Sequence, residues 1–339
     1  MSIIPESFKL AVYLITFLIG LCFGSFFLVM AQRFLKGESI VLPRSYCENT
    51  GRPIPWYDNL PILSYLLLGG CSRFDGRPIG LWYPITEMMT GVCFVMAVWY
   101  AGLTLQTLFL LFLLGNLIVI TLTDLKDSLI FIINSLSLVP AGLLYSWLNL
   151  GGLPNTSTDV FGLFSLPTPL VESLLGIAAG FLLFEGLILA SRVFMGTDGF
   201  GHGDTHLMMG LGAFFGWKLV VLGVFMGFIF QGVPAIPILV VQWIKHKRYK
   251  ALGSGTAGVI FGLLPLYWVS LETLNPQLRL VLMLGSFALS LVSLFFFLRC
   301  VRQQESYTYL PLGPSLIAAS VFLVFLAPSW LPEWAPWLP

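Results

Sequence analysis

The sequence predicts an all-α polytopic membrane protein of about ten transmembrane helices, with one large cytoplasmic loop between the first helix and the second. Three observations carry this expectation. The chain has 339 residues, 57% of them hydrophobic and 10% charged, with a mean hydropathy of +0.90. A soluble domain could not keep so apolar a surface in water. Runs long enough to cross about 30 Å of hydrocarbon, at about 1.5 Å per helical residue, recur along the chain. Threading those runs alternately places most of the basic residues on one side.

The runs lie at 8–30, 83–103, 104–123, 128–148, 169–194, 206–217 by a short or tilted path, 219–244, 252–270, 279–299 and 312–331. The first is too long for a signal-peptide core and is followed by Gln32 and Arg33, so it is read as retained. With the N-terminus outside, fourteen of the 17 Lys and Arg residues fall inside. The polar loop 31–82 is then cytoplasmic, Asp124 lies at the inner end of the third run and Asp204 at the inner start of the sixth. The segment 149–168, rich in Gly, Pro, Ser and Thr, reads as a plain outer connector. No internal repeat or low-complexity tract is read.

A formal net charge of +1 gives no basic face for phosphate contacts, so nucleic acid is not an expected partner; the lipid bilayer is. Five cysteines are scattered, with Cys22, Cys93 and Cys300 in or beside apolar runs and Cys47 and Cys71 in the polar loop. They form no disulfide framework.

Two acids from distant parts of the chain thus share one membrane face and one depth. Two carboxylates a few ångströms apart cannot both ionise cheaply, and sharing one proton lets them act as base and acid on a single water. Asp124 and Asp204 meet that need if their helices pack together. Gly199, Gly201 and Gly203 precede the second acid in "GFGHGD", where missing side chains permit φ > 0 and close approach of a peptide. The plainer reading stands beside this one: Asp204 as a helix cap, and Asp124 with Lys126 and Asp127 as a solvated interfacial cluster.

These segments resemble the bacterial type IV prepilin peptidases. "GFGHGDTHLMMGLGAFFGW" (199–217) is similar to that family's second catalytic motif, and "TDLKDSLIFIIN" (123–134) to its first. "GSFFLVMAQRF" (24–34), "RPIPWYDNLPILSYLLLGG" (52–70), "GRPIGLWYPITEMMTG" (76–91) and "YLPLGPSLIAAS" (309–320) follow the family's order and spacing. The resemblance implies an inner-membrane aspartic endopeptidase that removes the basic leader of type IV prepilins or type II secretion pseudopilins on the cytoplasmic side. Asp124 and Asp204 would be the catalytic acids, with Asp127 the runner-up for the first, and Gly201, Gly203 and His206 the supporting motif. Proteolysis would need no cofactor. Many members also N-methylate the new amino terminus from S-adenosylmethionine; here that second activity is left open. The division implied is a first helix at 1–30, a loop domain associated with methylation at 31–82, a peptidase core at 83–247, an inserted helical hairpin at 248–307 and a last helix at 308–339.

The departures from the family are specific. Its loop carries two Cys-x-x-Cys pairs suited to zinc. Matching them to "CENT" (47–50) and "CSRF" (71–74) leaves Cys47 and Cys71 alone, with Thr50 and Phe74 in place of the others, so zinc is not expected. Phe131 stands where a Pro is expected, Leu28 replaces an Asn, and His206 replaces a Lys, either lending positive charge beside Asp204 or capping the loop. Two alternatives are carried: a family member with weakened catalysis acting as a scaffold, and a proton-coupled transporter whose buried acids relay protons.

Overall fold

The computed structural model describes residues 6–42, 44–47, 49–151, 157–160, 164–196, 199–245 and 311–326, with isolated helical positions between 253 and 293. The chain divides into two compact units: Met1–Glu185, His202–Phe230 and Pro311–Pro339 form one, and Gly186–Gly201 with Gln231–Leu310 the other. Asp124 and Asp204 both belong to the first.

Five helices among the described residues are long and apolar enough to cross a membrane: Ser7–Lys36, Trp82–Ala101, Leu105–Asp127, Thr168–Val193 and His202–Val233. A helix satisfies its backbone groups internally, which hydrocarbon requires. Helix α1 (Glu6–Lys36) runs past residue 30, where the first helix was expected to end. Arg33 does not stop it, because the guanidinium is buried and its Nη1 donates to Ser39 O at 3.0 Å, while Lys36 sits in the last turn where cations complement the helix dipole. The loop that follows carries a 3-10 turn (Trp56–Asn59) and a short helix α2 (Leu63–Leu67).

Helix α3 (Trp82–Ala101) lies along α1. A Cβ on Gly20 would sit 2.7 Å from Gly91 Cα, so the two backbones meet without side chains between them. Small residues are the usual means of such packing in lipid, where apolar burial gives no drive. Helix α4 (Leu105–Asp127) is the central element, packed by α1, α3, α5 (Ile132–Trp147) and α8 (Gly313–Val321). Leu110, Leu113, Leu114, Leu117 and Ile120 fill its buried faces and join Leu207, Met208, Leu211 and Leu316 in one core.

The connector 149–168 is not a plain loop, and the chain is not strictly all-α. Strands β1 (Ser157–Val160) and β2 (Phe164–Pro167) pair antiparallel, with Ser157 opposite Pro167 and Val160 opposite Phe164. Thr158, Val160 and Phe164 favour extended backbone, a preference that a count of turn formers hides. Helix α6 (Thr168–Met195) follows, and then α7 (His202–Lys245). Gly216, with φ 77° and ψ 175°, interrupts α7, which is why 206–217 and 219–244 read as separate runs. Helix α8 has Pro314 in its first turn, where proline's missing N–H costs nothing, and passes into a π-helical turn (Phe322–Leu326). The expected hairpin 248–307, with its runs 252–270 and 279–299, lies outside the described residues apart from isolated helical positions.

Candidate active site

Asp124 sits in the last turn of α4 and is 5% exposed, whereas Asp127, one turn on, is exposed. The helix stops at Ser128, whose left-handed backbone (φ 52°, ψ 42°) lets its N–H close on Asp124 O at 2.9 Å. That turn sends Ile130 back across the end of the bundle. Phe131 then starts α5 with φ −72° and ψ 124°. Proline would fix φ near about −65°, so Phe131 already holds the backbone of the residue it replaces. Its ring packs on Phe34, with centroids 5.3 Å apart.

The acid's own partner comes from the far end of the chain. Gly313 N donates to Asp124 Oδ2 at 3.0 Å. Gly313 opens α8, so this N–H is one of those a helix start leaves unpaired, and a carboxylate is its natural acceptor. A Cβ on Gly313 would lie 2.6 Å from that same oxygen and 3.3 Å from Ile130 Cδ1. Only glycine admits the contact.

Asp204 is 8% exposed in the first turn of α7. One residue before it, a Cβ on Gly203 would lie 2.7 Å from Ile130 Cβ. One residue after it, Thr205 Oγ1 donates to Glu185 Oε1 of α6 at 3.3 Å. Ile130 therefore touches the glycine beside each acid, and the two expected carboxyl groups are gathered at one end of the bundle. The glycines work differently from the expectation. Neither Gly199 nor Gly203 has a positive φ, and the close approaches are by Ser191 and Ile130 side chains. Gly201 is exposed. His206 is half-buried on α7, two residues beyond Asp204, and its Nδ1 is buried with no hydrogen-bond partner among the described residues.

Glu87, though a carboxylic acid, is 5% exposed on α3. Its Oε2 accepts the Ile62 N–H at 2.7 Å and so ties the loop to the membrane helices. Ile62 has φ 60°, a conformation rare for a β-branched residue, in a tight turn where Leu63 N–H reaches Pro61 O. Glu87 falls on the α3 face that meets α1, a periodicity the sequence carried. A cavity of about 300 Å³ lies between this loop and the helices, lined in part by Ser25, Asn59, Tyr83 and Glu87.

The loop also corrects the matching of its cysteines. Its backbone repeats at an offset of 25 residues, since Tyr46 bridges Pro53 as Cys71 bridges Pro78. Cys47 N donates to Arg52 O at 2.8 Å, and Ser72 N to Arg77 O at 2.8 Å. Gly51 N donates to Cys47 O at 2.8 Å, and Gly76 N to Ser72 O at 2.9 Å, with Gly51 at φ 67° and Gly76 at φ 65°. Cys47 thus corresponds to Ser72 and Thr50 to Asp75. Cys71 is exposed and corresponds to Tyr46, and Phe74 to Asn49. The signal was present in "GRPI" at 51–54 and again at 76–79, which is an internal repeat.

Residues 18–101 match the Bacterial Peptidase A24 N-terminal domain, and residues 111–236 match the Type IV leader peptidase family. A prepilin leader peptidase/N-methyltransferase of Klebsiella pneumoniae is 34% identical over 208 residues, covering 60% of this chain and 84% of the relative. One from Myxococcus xanthus is 31% identical over 231 residues, 68% of this chain and 64% of the relative. One from Pseudomonas aeruginosa is 29% identical over 256 residues, 69% of this chain and 83% of the relative. No solved structure matches. Both aspartates fall within the second matched segment, α1 and the repeated loop largely within the first, and on this similarity the chain belongs to the type IV leader peptidase family.

Proposed function

We propose that this protein is a membrane aspartic endopeptidase that cleaves the leader of type IV prepilins or type II secretion pseudopilins, with Asp124 and Asp204 as its catalytic pair. The observation that carries the reading is the corner formed by Gly313, Ile130 and Gly203, which draws the two buried acids to one end of the bundle. In this reading one carboxyl group takes a proton from water while the other gives a proton to the scissile carbonyl oxygen. The water oxygen bonds to the carbonyl carbon, the C–N bond breaks, and the departing nitrogen takes a proton to become the new amino terminus. The Gly313 N–H orients the Asp124 carboxyl group and leaves its second oxygen for water.

The topology belongs to the same proposal: a multi-pass inner-membrane protein of about ten spans, N-terminus outside, with the acids and the loop 31–82 facing the cytoplasm. The excess of inner Lys and Arg supports that orientation. S-adenosylmethionine would supply a methyl group to the new amine. The cavity of about 300 Å³ beside Asn59, Tyr83 and Glu87 has room for it at the lower end of ligand-site volumes, with the Glu87 carboxyl group in a lining that also holds Arg73 and Arg77.

The test is co-expression with a prepilin, followed by mass determination of the pilin's N-terminus. Leader loss that disappears with Asp124→Asn and with Asp204→Asn is expected, and an added methyl mass would report methylation. Full processing by either variant would overturn the assignment of the pair.

A further inference from the structure

The repeated loop raises a question that the family's zinc pattern does not answer for this chain. Its four equivalent positions are Cys47, Thr50, Ser72 and Asp75, and no histidine lies between residues 31 and 82. Structural zinc takes thiolate and imidazole ligands, four at once. One thiol, two neutral hydroxyls and one carboxyl group do not make that set. The carboxyl group is also committed elsewhere: Asn49 Nδ2 donates to Asp75 Oδ2 at 2.9 Å and Arg77 N to Oδ1 at 3.4 Å. Arg77 Nη1 donates in turn to Asn49 Oδ1 at 3.1 Å, and Cys47 Sγ meets Ser72 Oγ at 3.9 Å.

We propose that the two turns of the loop, 45–54 and 70–79, are held together by a metal-free clasp in which hydrogen bonds between Cys47 and Asn49 on one turn and Ser72, Asp75 and Arg77 on the other replace a tetrahedral metal site. The two turns keep the backbone needed to point four side chains at one centre. The residues at that centre exchange donors and acceptors with each other. The Asn49 amide and the Arg77 N–H both donate to the Asp75 carboxylate, so that part of the pairing is charge-assisted. The consequence is a loop whose fold does not depend on metal supply and whose four clasp positions carry one thiol, Cys47, where four would be oxidisable.

The experiment uses the full-length protein in detergent or nanodiscs. Metal content is measured before and after chelation, together with the rate of limited proteolysis within the loop. Substoichiometric zinc and an unchanged cleavage rate are expected; stoichiometric zinc whose removal exposes the loop overturns the clasp. Cys47→Ser keeps a hydroxyl partner for Ser72 and is expected to leave the loop protected, whereas Asn49→Ala is expected to raise cleavage roughly fivefold or more. Reversal of that order overturns the clasp as well. The convergence of the four positions is read separately with cobalt(II) titrated into T50C/S72C/D75C, which with Cys47 offers four thiolates. A single equivalent bound with the visible bands of tetrahedral thiolate coordination is expected. A variant with native loop protection that binds no cobalt refutes the geometry.

Discussion

Gly313 N and Asp124 Oδ2 are joined by a hydrogen bond of 3.0 Å across 189 positions of sequence, so the start of α8 is fastened to the end of α4 through one carboxyl group. A methyl group at residue 313 would sit 2.6 Å from that oxygen. Gly313→Ala is therefore expected to swing the Asp124 carboxyl group away while α8 persists. A displacement of about 1 Å at a reacting group can cost about 10²-fold in rate. Prepilin cleavage by G313A should fall by that order with little change in thermal unfolding; near-parental cleavage would show that the contact does not position the acid.

Asp124 and Asp127 lie one helical turn apart and differ in burial, 5% exposed against exposed. An exposed carboxylate at a helix end is solvated and can be neutralised within about ±0.5 kcal/mol. Asp127→Asn should cleave within a few-fold of the parent, while Asp124→Asn falls to background. Measured with the same prepilin in one detergent, the opposite order would make Asp127 the first acid.

The membrane helices were legible because lipid demands long apolar runs with internally satisfied backbones, and α1, α3, α4 and α6 follow that demand residue by residue. That Asp124 and Asp204 lie at one end of the bundle was legible from the ends of their apolar runs. The contact that orients Asp124 was not, because Gly313 approaches Asp124 only through tertiary packing and a glycine carries no periodic signal. The burial of Glu87 is hidden in the sequence for a related reason. Its charge suggested water, whereas the Ile62 N–H supplies the partner that permits burial. The offset between Cys71 and Ser72 was decidable from the repeated "GRPI", but a match made on cysteines alone slipped by one residue.

Glu87 and Ile62 yield a paired prediction. Glu87→Ala leaves a backbone N–H of a half-buried, strained turn without its acceptor, a loss of about 1–3 kcal/mol. Ile62→Gly removes a Cβ from a positive φ and is expected to stabilise the turn by about 1 kcal/mol. Loop proteolysis should therefore quicken in E87A and slow in I62G. Glu87→Gln keeps a carbonyl acceptor and should track the parent. If I62G opens the loop faster than the parent, the Ile62 side chain contributes more by packing than its backbone costs.

Acid provides the last test of the loop. The Asp75 carboxyl group is held below its ordinary value of 3.8, chiefly by the Ser72 hydroxyl and then by the Asn49 amide, the Arg77 N–H and the Arg77 charge. The unfolded loop then binds more protons than the folded one between the two values. The stabilising contribution is complete above 3.8 and is lost as pH falls through the lower folded value. Arg77 Nε lies 4.0 Å from Asp75 Oδ2, an attraction that goes when the carboxylate is protonated. Cleavage of the loop by an acid-active protease should accelerate more between about pH 5 and about pH 2 in the parent than in Asp75→Asn, which has no carboxylate to protonate. An Asp75→Asn loop that opens as steeply as the parent over that interval would place the acid sensitivity in some other group.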